Sequence, residues 1–144
     1  MPKIDLEKAS IVADAALTKG RETSCDPLTV VVLDNGGQFK VVKREDDSGL
    51  MRVEIALGKA WGALGMGFAS RELSRRAEVM PTFFNSLAAM SGGKMVPLPG
   101  GVLIRDEQGR LLGAVGVSGD TSDRDEVCAV HGVKTAGLVP DIGD

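Results

Sequence analysis

His131 is the only histidine in the chain, and it follows Cys128 by three residues. On a helix that spacing makes the two side chains neighbours. A neutral imidazole is the commonest metal-binding side chain and can serve as an axial haem ligand. A single histidine supplies no multi-ligand pattern, so the competing reading is an ordinary exposed imidazole on a helix flank. Cys128 and Cys25 could act as thiolate ligands or nucleophiles. A catalytic cysteine needs a positioned base, and the nearby His131 is a weak indication of one. Cys128 falls on an apolar stripe and reads as core packing. Cys25 lies in a polar stretch and reads as exposed.

A second group of candidates surrounds Gly116, Ser118, Gly119, Asp120 and Thr121. The run Leu111–Ser118 reads as a strand, with glycines at 113 and 116 inside it. Interior glycines weaken a strand and mark the close approach of another backbone or of a ligand. The strand then breaks, and Ser122 with Asp125 three residues on has the form of a capping box, which starts a helix near 121–123. A glycine corner leading into a helix amino terminus presents backbone N–H groups that can hold a carboxylate. Asp120, Asp123, Asp125 and Glu126 already place negative charge there and satisfy the helix dipole without a ligand. The same carboxylates could hold a hard cation, but they lack the alternation of a calcium loop. Gly100-Gly101, between the Pro97/Pro99 segment and the strand 101–105, is the expected opposite rim. Arg105 at that strand's end could pair with an acidic ligand group or stand as a surface charge.

The elements that must position these groups follow from periodicity. Leu6, Ala9, Ala13, Ala16 and Leu17 form one stripe, predicting a helix over 5–20 with Asp5 as cap and Gly20 as stop. Residues 28–34 are continuously apolar, as a strand buried on both faces must be. Asn35-Gly36-Gly37 then turns the chain into a return strand from 38 to 44. A second helix spans 51–64, and its Gly58 and Gly62 imply close contacts. Trp61 falls off its stripe, which suggests a subunit contact. Shorter helices are expected over 70–76 and from Pro81, with a short strand at 94–96. Asp106-Glu107-Gln108-Gly109 joins the strands 101–105 and 111–118 as a tight turn. The last helix runs to about Ala136. Phe83, Phe84, Met80, Met90 and Met95 supply apolar surface that reads as core. Residues 1–137 thus form one α+β domain, and Pro140 makes 138–144 a tail.

Composition narrows the class. The apolar share is 43% and the charged share 26%, which suits an ordinary globular domain. A net charge of −3 argues against nucleic acid as the partner. No window reaches the roughly 20 apolar residues of a membrane span. The amino terminus lacks a signal-peptide pattern, and two cysteines make no disulfide framework, so the expected location is the cytoplasm.

Val96-Pro97-Leu98-Pro99-Gly100-Gly101-Val102 and Leu112-Gly113-Ala114-Val115-Gly116-Val117-Ser118-Gly119, followed by Asp125, Ala129 and Gly132, resemble a paired family signature. It is that of the small haem-binding and glycolate-operon proteins, which also supply the carboxy-terminal domain of some cobalamin adenosyltransferases. The resemblance spans nearly the whole chain, with Leu103 where the family usually has proline. It implies a profilin-like antiparallel sheet of about five strands and assembly into a homo-oligomer, a hexamer or octamer. It also implies haem or a related tetrapyrrole in a cleft between subunits. Gly100, Gly101 and Gly116 to Thr121 would hold the ligand's polar edge, and His131 would be the candidate metal ligand. Lys59-Ala60 matches a pair typical of the family. The placement of relatives in catabolic operons implies an alternative, an enzyme or accessory subunit acting on a small oxygenated acid. Asp120 or Lys59 would then carry the proton, with Ser118 and Arg105 beside them.

Overall fold

The strand β1 (Thr29–Asp34) is buried along its whole length, as its unbroken apolar run demands. In the computed structural model, which describes residues 2–143, it lies inside a five-stranded sheet. Its neighbours are β2 (Phe39–Arg44) and β4 (Leu111–Ser118); β3 (Gly101–Arg105) and β5 (Val139–Asp141) follow beyond β4. The order is β2-β1-β4-β3-β5, and every pairing is antiparallel.

Alternation along the central strands sorts their side chains into two layers. Val30 and Val32 of β1, Val102 and Ile104 of β3, and Val115 and Val117 of β4 share one core. The helices α1 (Leu6–Glu22) and α5 (Ser122–Thr135) close it with Ala9, Val12, Ala13, Ala129 and Val133. Val31, Leu33, Leu103 and Ala114 point the other way, under Ala56, Ala60 and Ala63 of α2 (Arg52–Met66). Burying a leucine such as Leu33 or Leu103 stabilises by about 1.5–3 kcal/mol. Helices therefore cover both faces, and the α+β class is as expected.

The excursion from α2 to β3 carries α3 (Ser70–Val79) and α4 (Pro81–Met90). Pro81 opens α4 at a position where its missing N–H costs nothing. Phe84 joins Leu73 and Met95 in a small third core, whereas Phe83 is 47% and Met90 78% exposed. Among the described residues no helix is long and apolar enough to cross a membrane.

Several boundaries differ from the sequence reading. Gly20 does not stop α1; it sits inside the last turns, buried against Leu28. Residues 94–96 form no strand. They cross α2, where Val96 N–H donates to the Gly58 carbonyl oxygen at 3.1 Å. Gly58 and Gly62 admit this crossing, since added methyls there would meet Val96 and Met95. The expected tail contains β5, which pairs with β3 because Pro140 sits on an edge strand; Asp144 lies outside the described residues. Trp61 packs within the subunit, on the core under α2 and beside Gly37. Cys25 is buried, not exposed.

Candidate functional site

Ala56, Lys59, Ala60 and Ala63 form the underside of α2. Directly below, Gly101 and Gly116 face each other in register on β3 and β4. A Cβ at Gly101 would stand 2.3 Å from the Lys59 carbonyl oxygen, and one at Gly116 only 2.0 Å from that of Ala56. The helix backbone thus rests on a side-chain-free patch of sheet. These two glycines are accounted for by the close approach of a backbone, one of the two causes that interior strand glycines imply.

Lys59 leaves the underside of α2 past Gly100. That residue has φ +124°, and a Cβ there would lie 2.9 Å from Lys59 Nζ and 2.8 Å from the Val117 carbonyl oxygen. Glycine is required both by conformation and by space. Through this gap the Lys59 ammonium donates to Val117 O at 2.9 Å and to Asp125 Oδ2 at 3.1 Å. Asp125 Oδ1 accepts from the Asp120 N–H at 2.9 Å. The lysine is 2% exposed and the aspartate 1%. Burial pushes the Lys59 pKa down and the Asp125 pKa up, against their mutual attraction. A buried pair of this kind adds little net stability, but removing one partner costs about 3–5 kcal/mol. The pair therefore locks α2 to the first turn of α5 across the end of the sheet.

Other polar groups strengthen the lock. Arg52 Nη1 donates to Ser118 Oγ at 3.1 Å, and Gly101 N–H donates to Ser70 Oγ at 2.7 Å. Arg71 Nε donates to both oxygens of Glu126, at 2.9 and 3.0 Å, and Arg71 Nη2 to Asp123 at 2.6 Å. Elements α2 and α3 are thereby both tied to the start of α5. Thr121 is the helix cap, with Oγ1 accepting from Arg124 N–H at 3.3 Å. The expected Ser122–Asp125 capping box does not form, because both Asp125 oxygens are committed to Asp120 and Lys59.

Gly100, Gly101, Gly116, Ser118, Gly119, Asp120, Thr121 and Lys59 are indeed brought to one end of the sheet. The space between the two rims is filled by protein: Lys59 fills it beside Gly100, and Pro27 and Leu28 back Gly119. Among the described residues, Gly100, Gly101, Gly116 and Gly119 face protein atoms at less than 3 Å from an added Cβ. Asp120 accepts from the N–H groups of Asp26 and Thr121, both at 2.8 Å, which with Arg124 hold its carboxyl below the usual aspartate range. A carboxylate so stabilised is a poor general base, and the Lys59 side chain is buried at 2% exposure. Arg105 is not part of the corner. It pairs with Asp141 at 2.9 Å, four residues along β3 from Gly101 and so roughly 13 Å away.

His131 stands half-buried on the outer flank of α5. Its Nε2 lies 3.4 Å from Thr135 Oγ1, while that hydroxyl donates at 2.8 Å to the His131 carbonyl oxygen. Among the described residues no three histidine, cysteine or acidic side chains gather as a metal site. The carboxylates once considered for a cation are taken by Arg71, Arg124, Lys59 and backbone N–H groups. What sequence reasoning missed was the lock. Its legible sign was a lysine on the buried stripe of α2, between Ala56 and Ala63.

These features define a single α+β domain whose only imidazole rides on the exterior of a firmly anchored helix. The chain belongs to the family described as haem degrading protein HbpS-like, whose model matches residues 4–134. A crystal structure of a PduOC:heme complex is 26% identical with a TM-score of 0.85, covering 94% of this chain and 96% of that one. The crystal structure of HbpS is 27% identical with a TM-score of 0.81, covering 93% and 90%. An uncharacterized 15.0 kDa protein from the dhaT-dhaS intergenic region of Citrobacter freundii is 28% identical over 126 residues, 88% of this chain and 87% of that protein. The corrinoid adenosyltransferase PduO of Salmonella typhimurium is 35% identical over 100 residues, 69% of this chain but 29% of the enzyme. This chain spans about a third of the length of such adenosyltransferases.

Proposed function

We propose that this chain is a small-molecule binding protein that takes haem or a related tetrapyrrole at the α5 face carrying His131. Membership of the HbpS-like family and likeness to a heme-bearing relative support the reading. The observation that carries it in this chain is His131 itself, half-buried and bound only weakly through its ring. The donor set fits the group. An imidazole can ligate iron, Val127 one turn earlier is 52% exposed and apolar, and Lys134 one turn later is exposed and cationic. When bound, haem supplies a redox-active iron and a visible chromophore. His131 would hold the metal, Val127 would cover part of the ring, and Lys134 would face a propionate. The buried corner contributes indirectly: Lys59, Asp125, Gly100, Gly101, Gly116 and Ser118 fix the helix on which His131 rides.

A single helix face cannot enclose a macrocycle, so the reading requires a second subunit; the assembly proposed, as the family resemblance implies, is a homo-oligomer, a hexamer or octamer. Exposed Val79, Met80, Phe83 and Met90 around α4 offer apolar surface for such contacts. The cytoplasm is the proposed location. A catabolic gene cluster is the proposed setting, in keeping with the intergenic position named for the Citrobacter freundii relative. Titration with haem tests the binding. A saturable Soret shift in the native protein, lost or displaced in His131→Ala, supports the reading. No shift in the native protein, or an unchanged shift in a folded His131→Ala variant, refutes it.

A further inference from the structure

The turn that joins β1 to β2 stands at the end of the sheet away from the glycine corner. Asp34 pairs with Gly113 there, whereas Thr29 and Ser118 pair at the corner. Beside this turn lies an open hollow of about 500 Å³, lined by Pro2, Lys3, Asn35, Gly36, Arg110 and Leu111. Its volume is that of a small-molecule pocket. Hydrogen bonds hold its frame. The Asn35 side-chain amide donates to the Pro2 carbonyl oxygen at 2.8 Å and to that of Leu111 at 3.0 Å. Ile4 N–H donates to the Leu112 carbonyl oxygen at 3.0 Å, which fixes the segment carrying Pro2 and Lys3 against β4. Pro2 and Leu111, both half-buried, supply the apolar lining.

The charged groups of the hollow are of one sign. Arg110 Nε donates to Asp106 Oδ2 at 2.7 Å, which sets the guanidinium, and its two Nη groups hold no hydrogen bond among the described residues. Lys3 is exposed and its ammonium holds none either. No lining residue is acidic. Asp34, next to the lining in sequence, keeps Oδ1 on the N–H groups of Gly36 and Gln38, at 2.9 and 3.1 Å. Two uncommitted cations on one apolar hollow stand out in a chain of net charge −3. We propose that this hollow binds an aromatic carboxylate. The ring lies against Pro2 and Leu111, and the carboxylate meets the Arg110 guanidinium, whose planar fork matches it, with Lys3 as a second charge. A small inorganic anion would leave the apolar lining unused, and a neutral ring would leave both cations unused. The site shares no residue with the His131 face or the glycine corner, so the inference stands whether or not His131 takes haem.

The test is calorimetric titration of the full-length protein with 2-naphthoate, with the Leu111 methyl resonances followed by NMR to locate the ligand. Saturable binding of one naphthoate per chain, with shifted Leu111 methyls, is expected. Lys3→Gln with Arg110→Gln should weaken it by at least about fivefold, as two exposed ion pairs would. The neutral 2-naphthamide should bind the wild-type chain weaker by a similar factor. Absence of saturable binding at millimolar naphthoate, equal affinity for the amide, or binding that leaves the Leu111 methyls unmoved would overturn the proposal. The same holds if the double variant, folded by circular dichroism, binds as tightly as the wild type. The comparison of acid with amide needs no variant, so a poorly folding substitution does not remove the test.

Discussion

Replacing Lys59 with methionine keeps most of the side chain's volume and removes its ammonium. The Asp125 carboxyl, 1% exposed, would keep the Asp120 N–H as its one hydrogen-bond partner and Arg52 as its remaining cationic neighbour, and Val117 O would lose the ammonium donor. Leaving a buried charge unpaired costs about 3–5 kcal/mol. That is a large part of the 5–15 kcal/mol typical of a domain. At about 3 °C per kcal/mol for a chain of this size, the melting midpoint should fall by roughly 9–15 °C. The pH dependence identifies the cause. Asp125 already has a raised pKa through burial, and losing the attraction of Lys59 raises it further. A group whose folded pKa lies above its unfolded value costs stability at and above the folded value. The cost fades as pH falls through that value towards the ordinary 3.8, below which both states are protonated. The Lys59→Met deficit should therefore be greatest near neutrality and shrink on acidification. Urea unfolding at a series of pH values measures it. Lys59→Met/Asp125→Asn, which removes the charge yet leaves an acceptor for Asp120 N–H, should recover at least about 2 kcal/mol of the loss. A single-variant deficit below about 1 kcal/mol, or one that does not change with pH, would refute the reasoning.

Gly116→Ala drives a methyl into the Ala56 carbonyl oxygen and should cost at least about 2 kcal/mol in chemical denaturation; a neutral result would mean that α2 can lift from the sheet without penalty. Thr121→Ala removes the cap on α5 and should cost about 1 kcal/mol by the same measurement. Phe83→Ser with Met90→Ser removes apolar surface that is exposed in the subunit, so it should lower native mass by light scattering and leave the subunit fold intact by circular dichroism. Unchanged assembly would place the subunit contacts elsewhere.

The central layers were legible because their physics is local. The unbroken run of β1 could only be a strand buried on both faces, and Gly37 and Gly109 adopt the positive φ their turns require. Features made by contacts distant in the chain were not legible. The β5 strand exists because β3 offers it an edge, and residues 94–96 avoid the sheet because Gly58 and Gly62 let them cross α2. The glycine signature was visible, but spacing alone does not distinguish a ligand from a helix backbone as the object that glycines admit. Lys59 decides between them. A lysine on a small-residue stripe needs a buried acceptor, and Asp125 supplies one only once α2 and α5 meet at the end of the sheet. Cys25 was misjudged because its polar neighbours face water while its own side chain turns inward.

Crystals grown with haem, with iron located by anomalous scattering, test the account most directly. The prediction is one iron per bound haem in ligand contact with His131 on the outer face of α5, with Lys59 still paired to Asp125 beneath it. Iron seated at the glycine corner, with Lys59 displaced from Asp125, would contradict both the site and the role given to the lock.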